Sequence, residues 1–340
     1  MLSAGIHERV GNITSGIQLQ IVLPTGVPED VTVTLNGMVL QKNKEGFYQK
    51  RRLQLNQVVE IKVNNSFCYP FFEIHRLIRP GLEHRIICLV RKAHFVPSGI
   101  GIESGINIIN FAGRLDDNTI LQSNGMILSQ STFLYKDFQS DVSYRDFVYS
   151  KFLDKYLVVN SGMENLLLYR NDSILSKDEE FPLVFPGDTS KIKSPEGITI
   201  DSKGNIYIVE WANHRVSVFN NDGSYLYSFG KFGRNVSTEI GKPVHFVFPT
   251  RIAVAEDVEG VLVGGKRVYR DPQIFVADRY GIQLVDIHGN YLDTVVQSGM
   301  NRGAFYDIVV RGYSTNSRLY VVDRKEGKVK RFIAKPLEVK

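Results

Sequence analysis

One pattern of four short apolar runs constrains the fold of this chain more than any other feature of its sequence. In its clearest copy the runs cover residues 197–200, 205–210, 215–219 and 224–229. The turns between them carry Ser202-Lys203-Gly204 and Asn221-Asp222-Gly223, and glycine-bearing turns between alternating runs are typical of β-hairpins. Four such strands in succession predict an antiparallel meander of about 45 residues, the size of one propeller blade.

The same order of runs recurs three more times. The copies comprise 251–254, 274–278, 282–285 and 288–292; 306–310, 319–323 and 328–332; and, more weakly, 146–148, 156–160, 166–169 and 181–185. The second run of each copy ends on Asn160, Glu210, Asp278 or Asp323. The long interval before Asp278 contains the insertion 256–272, which we predict to be a loop. We therefore predict an all-β propeller with four clear blades. A fifth, within 114–144, and a sixth are left open.

The clearest copy also contains specific residues at fixed positions of the pattern. They are Pro195-Glu196-Gly197-Ile198-Thr199-Ile200-Asp201, then Gly204-Asn205-Ile206-Tyr207-Ile208, then Asn213-His214-Arg215-Val216 followed by Phe219 and Asp222-Gly223. This unit resembles the NHL-repeat family of β-propellers, and the resemblance is good over 195–333, faint over 105–190 and absent before 95. It implies a ring of blades, usually six, in which Asn213 and Arg215 tie the turn after the second strand to Glu210.

The last blade lacks an obvious fourth strand. After Phe332 only residues 333–340 remain, with Pro336 among them, and an open blade edge would expose unpaired backbone groups. The segment 105–113 reads like an outer strand with an exit turn. We predict that it completes the last blade from the N-terminal side.

The first 95 residues have a different strand pattern. Short alternating runs at 17–23, 31–35, 46–55, 58–63 and 84–90 lie between turn residues, which predicts a small β-sandwich of immunoglobulin-like size. The chain is thus divided into a sandwich-like adaptor domain, 1–95, and a propeller, 96–340. A hairpin turn at Pro80-Gly81 would not place Cys68 opposite Cys88, so buried thiols are favoured over a disulfide.

The formal net charge of +5 is unevenly distributed along the chain. Residues 1–95 hold 12 basic and 7 acidic groups, whereas residues 96–340 hold 29 of each. A nucleic-acid surface is expected to be a concentrated basic face, so this balance disfavours nucleic acid as the partner of the propeller. No apolar run approaches the ~18 residues of a membrane-spanning helix, and the chain as given shows no secretory signal. An intracellular or virion-associated location is expected.

Eight cations are the candidate partner-binding residues. They are Lys50, Arg51, Arg52, Arg76 and Arg79 in the first domain and Lys266, Arg267 and Arg270 in the insertion. Such residues serve either as solvated strand faces or for docking on an acidic partner surface. The insertion is a long loop on a rigid scaffold, where binding often occurs, although a loop of this kind can also be merely tolerated.

No catalytic, metal-binding or cofactor-binding residue is predicted. Nucleophile elbows, phosphate loops and dinucleotide fingerprints are absent from the sequence. Enzymes that resemble this repeat, the peptidylglycine amidating lyases, use several histidine ligands, but residues 96–340 contain only His214, His245 and His288, all in turns or loops. Lactonase-like propellers use carboxylates of the central channel, where Asp146, Glu196 and Asp307 are expected near first strands. Acidic residues there are also common in non-catalytic blades.

These observations favour a non-catalytic interaction or structural protein. In this interpretation the N-terminal domain docks into a larger assembly, and the propeller presents a face to a protein or glycan. A virion or phage tail component is one such assembly, by analogy of architecture alone. The alternatives are an RNA-binding NHL propeller and a metal-dependent hydrolase or lyase. Self-association is left open.

Overall fold

The computed structural model describes residues 14–100, 119–121, 126–129, 133–136, 144–170, 177–186, 191–235, 240–297, 305–323 and 328–338. Its backbone contacts divide into two compact units. The first unit contains the chain up to Arg91 together with Gly260–Arg270, and the second contains Lys92–Glu259 and Asp271–Glu338. The division into two separately folding domains with a boundary at residue 95 stays a prediction.

The first unit contains a sandwich of two sheets, as predicted. Its strands are β1 (Thr14–Val22), β2 (Thr32–Leu35), β3 (Met38–Leu40), β4 (Tyr48–Gln54), β5 (Val58–Asn64), β6 (Phe71–Arg76) and β7 (Gly81–Cys88). One sheet has the order β4-β1-β7 and the other the order β3-β2-β5-β6. Alternating residues of β5, namely Val59, Ile61 and Val63, are fully buried and pack in a core with Ile17 and Leu77. Period-two alternation therefore marks which face of each strand is buried.

The turn at Pro80-Gly81 is not a hairpin, which corrects the sequence prediction. Strand β6 pairs with β5, whereas β7 crosses to the other sheet and pairs in parallel with β1. Cys68 and Cys88 are both buried thiols. The prediction of two buried thiols is confirmed, although the hairpin turn from which it was argued was wrong.

The second unit contains the predicted four-stranded antiparallel sheets. Its strands are β8 (Ala93–Ile100), β9 (Thr119–Leu121), β10 (Met126–Ser129), β11 (Phe133–Lys136), β12 (Tyr144–Ser150), β13 (Lys155–Asn160), β14 (Asn165–Arg170), β15 (Lys177–Phe181), β16 (Pro195–Ile200), β17 (Ile206–Glu210), β18 (Arg215–Phe219), β19 (Tyr225–Phe229), β20 (Arg251–Ala255), β23 (Gln273–Asp278), β24 (Gly281–Val285), β25 (Tyr291–Gln297), β26 (Phe305–Arg311), β27 (Arg318–Asp323) and β28 (Lys328–Pro336). The insertion between β20 and β23 contains β21 (Val261–Val263) and β22 (Lys266–Val268), which belong to the first unit. A short 3₁₀ turn covers Ser314–Asn316.

Four blades have the strand orders β12-β13-β14-β15, β16-β17-β18-β19, β20-β23-β24-β25 and β26-β27-β28-β8. Their first strands, β12, β16, β20 and β26, neighbour one another in that order. Apolar side chains fill the space between successive blades; Leu157 and Ile208, for example, belong to one buried cluster. A three-stranded sheet, β11-β10-β9, lies where a compressed fifth blade was predicted.

The last blade is completed from the N-terminal side, but by a different segment from the one predicted. Strand β8 pairs antiparallel with β28, from Ala93 opposite Pro336 to Ile100 opposite Lys330. The predicted segment, 105–113, lies outside the described residues. Strand β8 contains Pro97, which an outer edge strand tolerates because one of its sides needs no ladder hydrogen bonds.

The insertion is a hairpin rather than an irregular loop. Strands β21 and β22 pair antiparallel around Gly264-Gly265, whose φ values are 55° and 79°. Two successive positive φ values are those of a tight hairpin turn, and glycine adopts them without steric cost.

Candidate binding surfaces

Glu210, at the end of β17, is the centre of a buried polar network. Its carboxylate accepts hydrogen bonds from Arg215 Nε at 2.7 Å, Asn213 Nδ2 at 2.6 Å and the backbone N–H of Lys193 at 3.0 Å, and also from Ser217 Oγ. Glu210 is fully buried. The network joins the turn after β17 to the connection that leads into β16, so Asn213 and Arg215 have the structural role that the resemblance implies.

The acidic residues at the equivalent positions of the next two blades are also engaged, by different partners. Asp278 accepts from the backbone N–H of Val247 at 3.1 Å and from the N–H of Tyr280 at 2.8 Å. Burial raises the pKa of Asp278, and these hydrogen bonds oppose that effect by stabilising the carboxylate. Asp323 pairs with Lys330 at 2.8 Å. Acidic residues at the ends of these second strands therefore organise the blades.

Carboxylates of the first strands are also engaged by the protein itself. Asp146 accepts hydrogen bonds from the backbone N–H groups of Phe147 and, in the next blade, Ile198, both at 2.9 Å. Glu196 lies 3.4 Å from Arg145 Nε and 3.8 Å from Arg251 Nη1. Burial raises the pKa of Glu196, and the two guanidinium groups oppose this shift. Asp307 accepts from the N–H of Ile308 at 2.8 Å.

Within the part of the chain that the structure describes, no group of three or more His, Cys, Asp or Glu residues is arranged to hold a metal ion. His214 lies in the turn between β17 and β18, His245 in the connection before β20 and His288 in the turn before β25. The three histidines therefore belong to separate turns and connections.

The His214 ring links its blade to the connection that leads into β20. Its Nδ1 accepts a hydrogen bond from the backbone N–H of Phe248 at 3.1 Å, which requires the neutral ring with the proton on Nε2. Burial lowers the pKa of His214 below its ordinary value of 6.5. The unfolded chain therefore takes up this proton more readily than the folded one, and stability is lost as the pH falls below about 6.5.

We expect His214→Asn to flatten this acid dependence. Asparagine keeps a side-chain acceptor and tolerates the left-handed backbone of residue 214, whose φ is 53°, but it does not titrate. Between about pH 7.5 and about pH 5.5, wild type should lose about 1 kcal/mol more unfolding free energy in urea than the variant, the value of one hydrogen bond. Equal losses in the two proteins would refute the role of His214.

Four of the eight predicted cations are placed at one end of the sandwich. Strand pairing puts Gln54 of β4 opposite Thr14 of β1, and Arg76 of β6 opposite Val58 of β5. The Arg79 carbonyl accepts a hydrogen bond from Ser15 Oγ at 2.8 Å. One end of the unit is therefore formed by the ends of β4 and β6 together with the starts of β1, β5 and β7. The exposed cations of this cationic end are Arg51, Arg52, Arg76 and Arg79.

The other four cations lie elsewhere in the same unit. Lys50, in the middle of β4, reaches Met38 Sδ at 3.5 Å. Lys266, Arg267 and Arg270 belong to the hairpin insertion, which the contacts group with the sandwich; Lys266 and Arg267 are exposed and Arg270 is half-buried. Segments far apart in the sequence thus place all eight cations in one compact unit.

Four aromatic side chains of the propeller unit form a ring cluster that the sequence analysis missed. Trp211 and His214 come from the turn between β17 and β18, whereas Phe232 and Phe248 come from the connection between β19 and β20. The Trp211 ring stacks on Phe248 with 4.4 Å between centroids, and His214 lies 4.7 Å from Phe248 and 4.9 Å from Phe232. Phe232 is 66% exposed and Trp211 40%. Residues from separate turns leave no periodic signal in a sequence.

The geometry of the blades and the comparisons agree on the class of protein. The family model of the NHL repeat matches residues 193–219, which cover β16 to β18. The chain is an all-β protein with a small N-terminal β-sandwich and an NHL-like β-propeller. The predicted resemblance is thereby confirmed.

Among curated proteins, the chain is similar to "Protein brain tumor" of Drosophila melanogaster, at 24% identity over 87 residues. The match covers 26% of this chain and only 8% of that protein. A structure of streptogramin B lyase aligns with 88% of this chain and 79% of its own, at 13% identity and a TM-score of 0.38. The WD40 propeller domain of Doa1 aligns with 82% of this chain and 86% of its own, at 10% identity and a TM-score of 0.40.

Across the described ranges, no helix has the length and apolar character needed to cross a membrane.

Proposed function

We propose that this chain is a non-catalytic binding protein. Its N-terminal unit docks on an acidic surface within a larger assembly, and its propeller presents a second binding face. The observation that carries the proposal is the cationic end, where Arg51, Arg52, Arg76 and Arg79 are exposed at one edge of a rigid sandwich.

Local charge at this edge supports an acidic partner. Glu83 is the acidic side chain of β7 near these arginines, but it is already engaged. It accepts from the backbone N–H groups of Ile78 and Arg79 at 3.0 and 3.1 Å, and it contacts His75 Nε2 at 2.9 Å. The guanidinium groups can therefore bind carboxylates of a partner, and arginine does so with paired, directional hydrogen bonds.

Charge reversal at the cationic end is expected to abolish docking. We expect the full-length chain carrying Arg51→Glu, Arg76→Glu and Arg79→Glu to recover at most about one tenth as much partner as wild type from an extract of its source. The reason is that charge pairs buried at an interface each contribute several kcal/mol. Quantitative mass spectrometry of the retained proteins measures this loss.

A matched control reverses three exposed lysines of the propeller unit, Lys151, Lys191 and Lys203. This variant has the same net charge as the first, so its partner recovery should stay within about twofold of wild type. If both variants retain as much partner as wild type, or lose it equally, the cationic end is not the docking surface.

Assembly into a virion or phage tail is a finer form of this proposal, and the identity of the recovered partner tests it. The two alternative functions, an RNA-binding propeller and a metal-dependent hydrolase or lyase, have less support. The propeller residues 96–340 carry balanced charge, which disfavours RNA as the partner. Asp146 and Glu196 are engaged by backbone amides and arginines, which disfavours metal-dependent catalysis.

A further inference from the structure

Backbone geometry alone does not require the aromatic residues of the ring cluster. In the preceding blade, Glu164 takes the place of His214, and Ser194 takes the place of Phe248. The φ values of these four residues all lie between 44° and 55°. The Ser194 N–H donates to Glu164 Oε1 at 3.3 Å, just as the Phe248 N–H donates to His214. The repeat therefore fixes the turns and leaves the side chains variable.

Exposed apolar side chains that are grouped, rather than scattered singly, often mark a binding site. A phenylalanine at 66% exposure and a tryptophan at 40% leave apolar surface in water. Both belong to loops on a rigid blade scaffold, where binding residues concentrate. Tryptophan is also among the residues that most often dominate the binding energy of protein interfaces.

The exposed charge in the segments around the ring cluster is positive, because the neighbouring carboxylates of Glu210 and Asp278 are buried. Segments 211–214, 230–235, 245–250 and 279–281 contain Lys231, Arg234 and Arg279 but no Asp or Glu. Lys231 and Arg234 are exposed, and the Arg234 guanidinium lies 4.8 Å from the centre of the Tyr280 ring. Such a surface is complementary to a ligand that combines an apolar group with negative charge.

We propose that the ring cluster is the docking site for an acidic peptide segment of a partner protein. An apolar side chain of the peptide packs on Trp211 and Phe232, and its carboxylates meet Lys231 and Arg234. A peptide fits better than a nucleic acid because the cations form a small patch, whereas a phosphate backbone is tracked by a longer basic groove. The inference deepens the part of the proposed function that assigns a binding face to the propeller.

The chain contains one tryptophan, and it lies in this cluster. The emission of Trp211 therefore reports directly on the site. Random peptides displayed on phage are selected on the full-length chain with the Phe232→Ala variant as soluble competitor. Selected tryptophan-free peptides are then synthesised and titrated against wild type while Trp211 emission is followed.

Enriched peptides should contain Asp or Glu next to an aromatic or aliphatic residue and should change Trp211 emission saturably. Their affinity should fall by about tenfold or more in Phe232→Ala and in Lys231→Glu/Arg234→Glu, as expected for an interface anchor and its charged neighbours. Phe152→Ala is the control, because Phe152 is also exposed, at 52%, but lies outside the cluster.

Three outcomes overturn the inference: selected peptides with no acidic enrichment, equal affinity for wild type and the two cluster variants, or tighter binding of single-stranded polyuridine than of any selected peptide. The Arg51→Glu/Arg76→Glu/Arg79→Glu protein should bind the peptides as wild type does. A failure at the ring cluster therefore leaves the docking role of the N-terminal unit to its own test.

Discussion

Replacing Glu210 by alanine is expected to destabilise the propeller unit by about 3–5 kcal/mol, the cost of removing one partner from a buried charged network. The variant leaves Arg215 Nε, Asn213 Nδ2 and the backbone N–H of Lys193 without their acceptor. These groups lie at or near the fully buried carboxylate, so water replaces it poorly. Urea denaturation followed by Trp211 fluorescence measures the change, because Trp211 adjoins this network in the sequence.

The matched control is Glu256→Ala. Glu256 also receives two hydrogen bonds, from the backbone N–H of Ser202 at 2.9 Å and from Ser202 Oγ at 2.6 Å, but at an exposed site. Its loss should cost no more than about 1 kcal/mol, since water replaces the carboxylate there. Equal effects of the two substitutions would mean that Glu210 does not organise the blade.

The second large effect is expected at Gly223, in the turn between β18 and β19. Its φ is 88°, and a Cβ atom there would lie 1.9 Å from the Pro182 carbonyl oxygen. The Val184 N–H also donates to the Gly223 carbonyl at 2.9 Å, which joins this turn to the preceding blade. Gly223→Ala should cost about 2–5 kcal/mol, because left-handed strain and overpacking add. Thermal unfolding followed by circular dichroism measures the loss.

Gly37→Ala separates the two contributions. Gly37 has a similar φ of 77°, but a Cβ atom there would have no neighbour within 4 Å. We expect a cost of only about 1–2 kcal/mol, from backbone strain alone. If the two variants lose the same stability, the close approach between neighbouring blades at Pro182 is not a constraint on the fold.

Much of the propeller could be predicted because its information is local. The runs around 197–229 correspond to β16–β19, since each hairpin is specified by its own alternation and turn residues. Strand β8 was missed because its pairing with β28 joins residues more than two hundred positions apart. Pro97 also weakens the strand pattern of this segment, because proline is disfavoured inside strands. The crossing of β7 to the other sheet was missed for a related reason, since a turn sequence does not specify which sheet the next strand joins.

The candidate sites divide in the same manner. Charge could be counted along the sequence, so the cations of the first unit were found before the structure placed Arg51, Arg52, Arg76 and Arg79 at one end. The ring cluster could not be found, because Trp211 and Phe232 come from different turns and their exposure depends on three-dimensional packing. Exposure of an aromatic ring is a property of the fold, whereas net charge is a property of the composition.

The salt dependence of partner retention by the full-length chain tests the central claim most directly. If exposed arginines of the N-terminal unit dock on an acidic surface, retention by wild type should fall steeply between about 50 mM and about 300 mM salt, as ions screen the exposed charges. The Arg51→Glu/Arg76→Glu/Arg79→Glu protein should retain little partner even at low salt. Retention that is independent of salt, or that survives this charge reversal, would contradict the account.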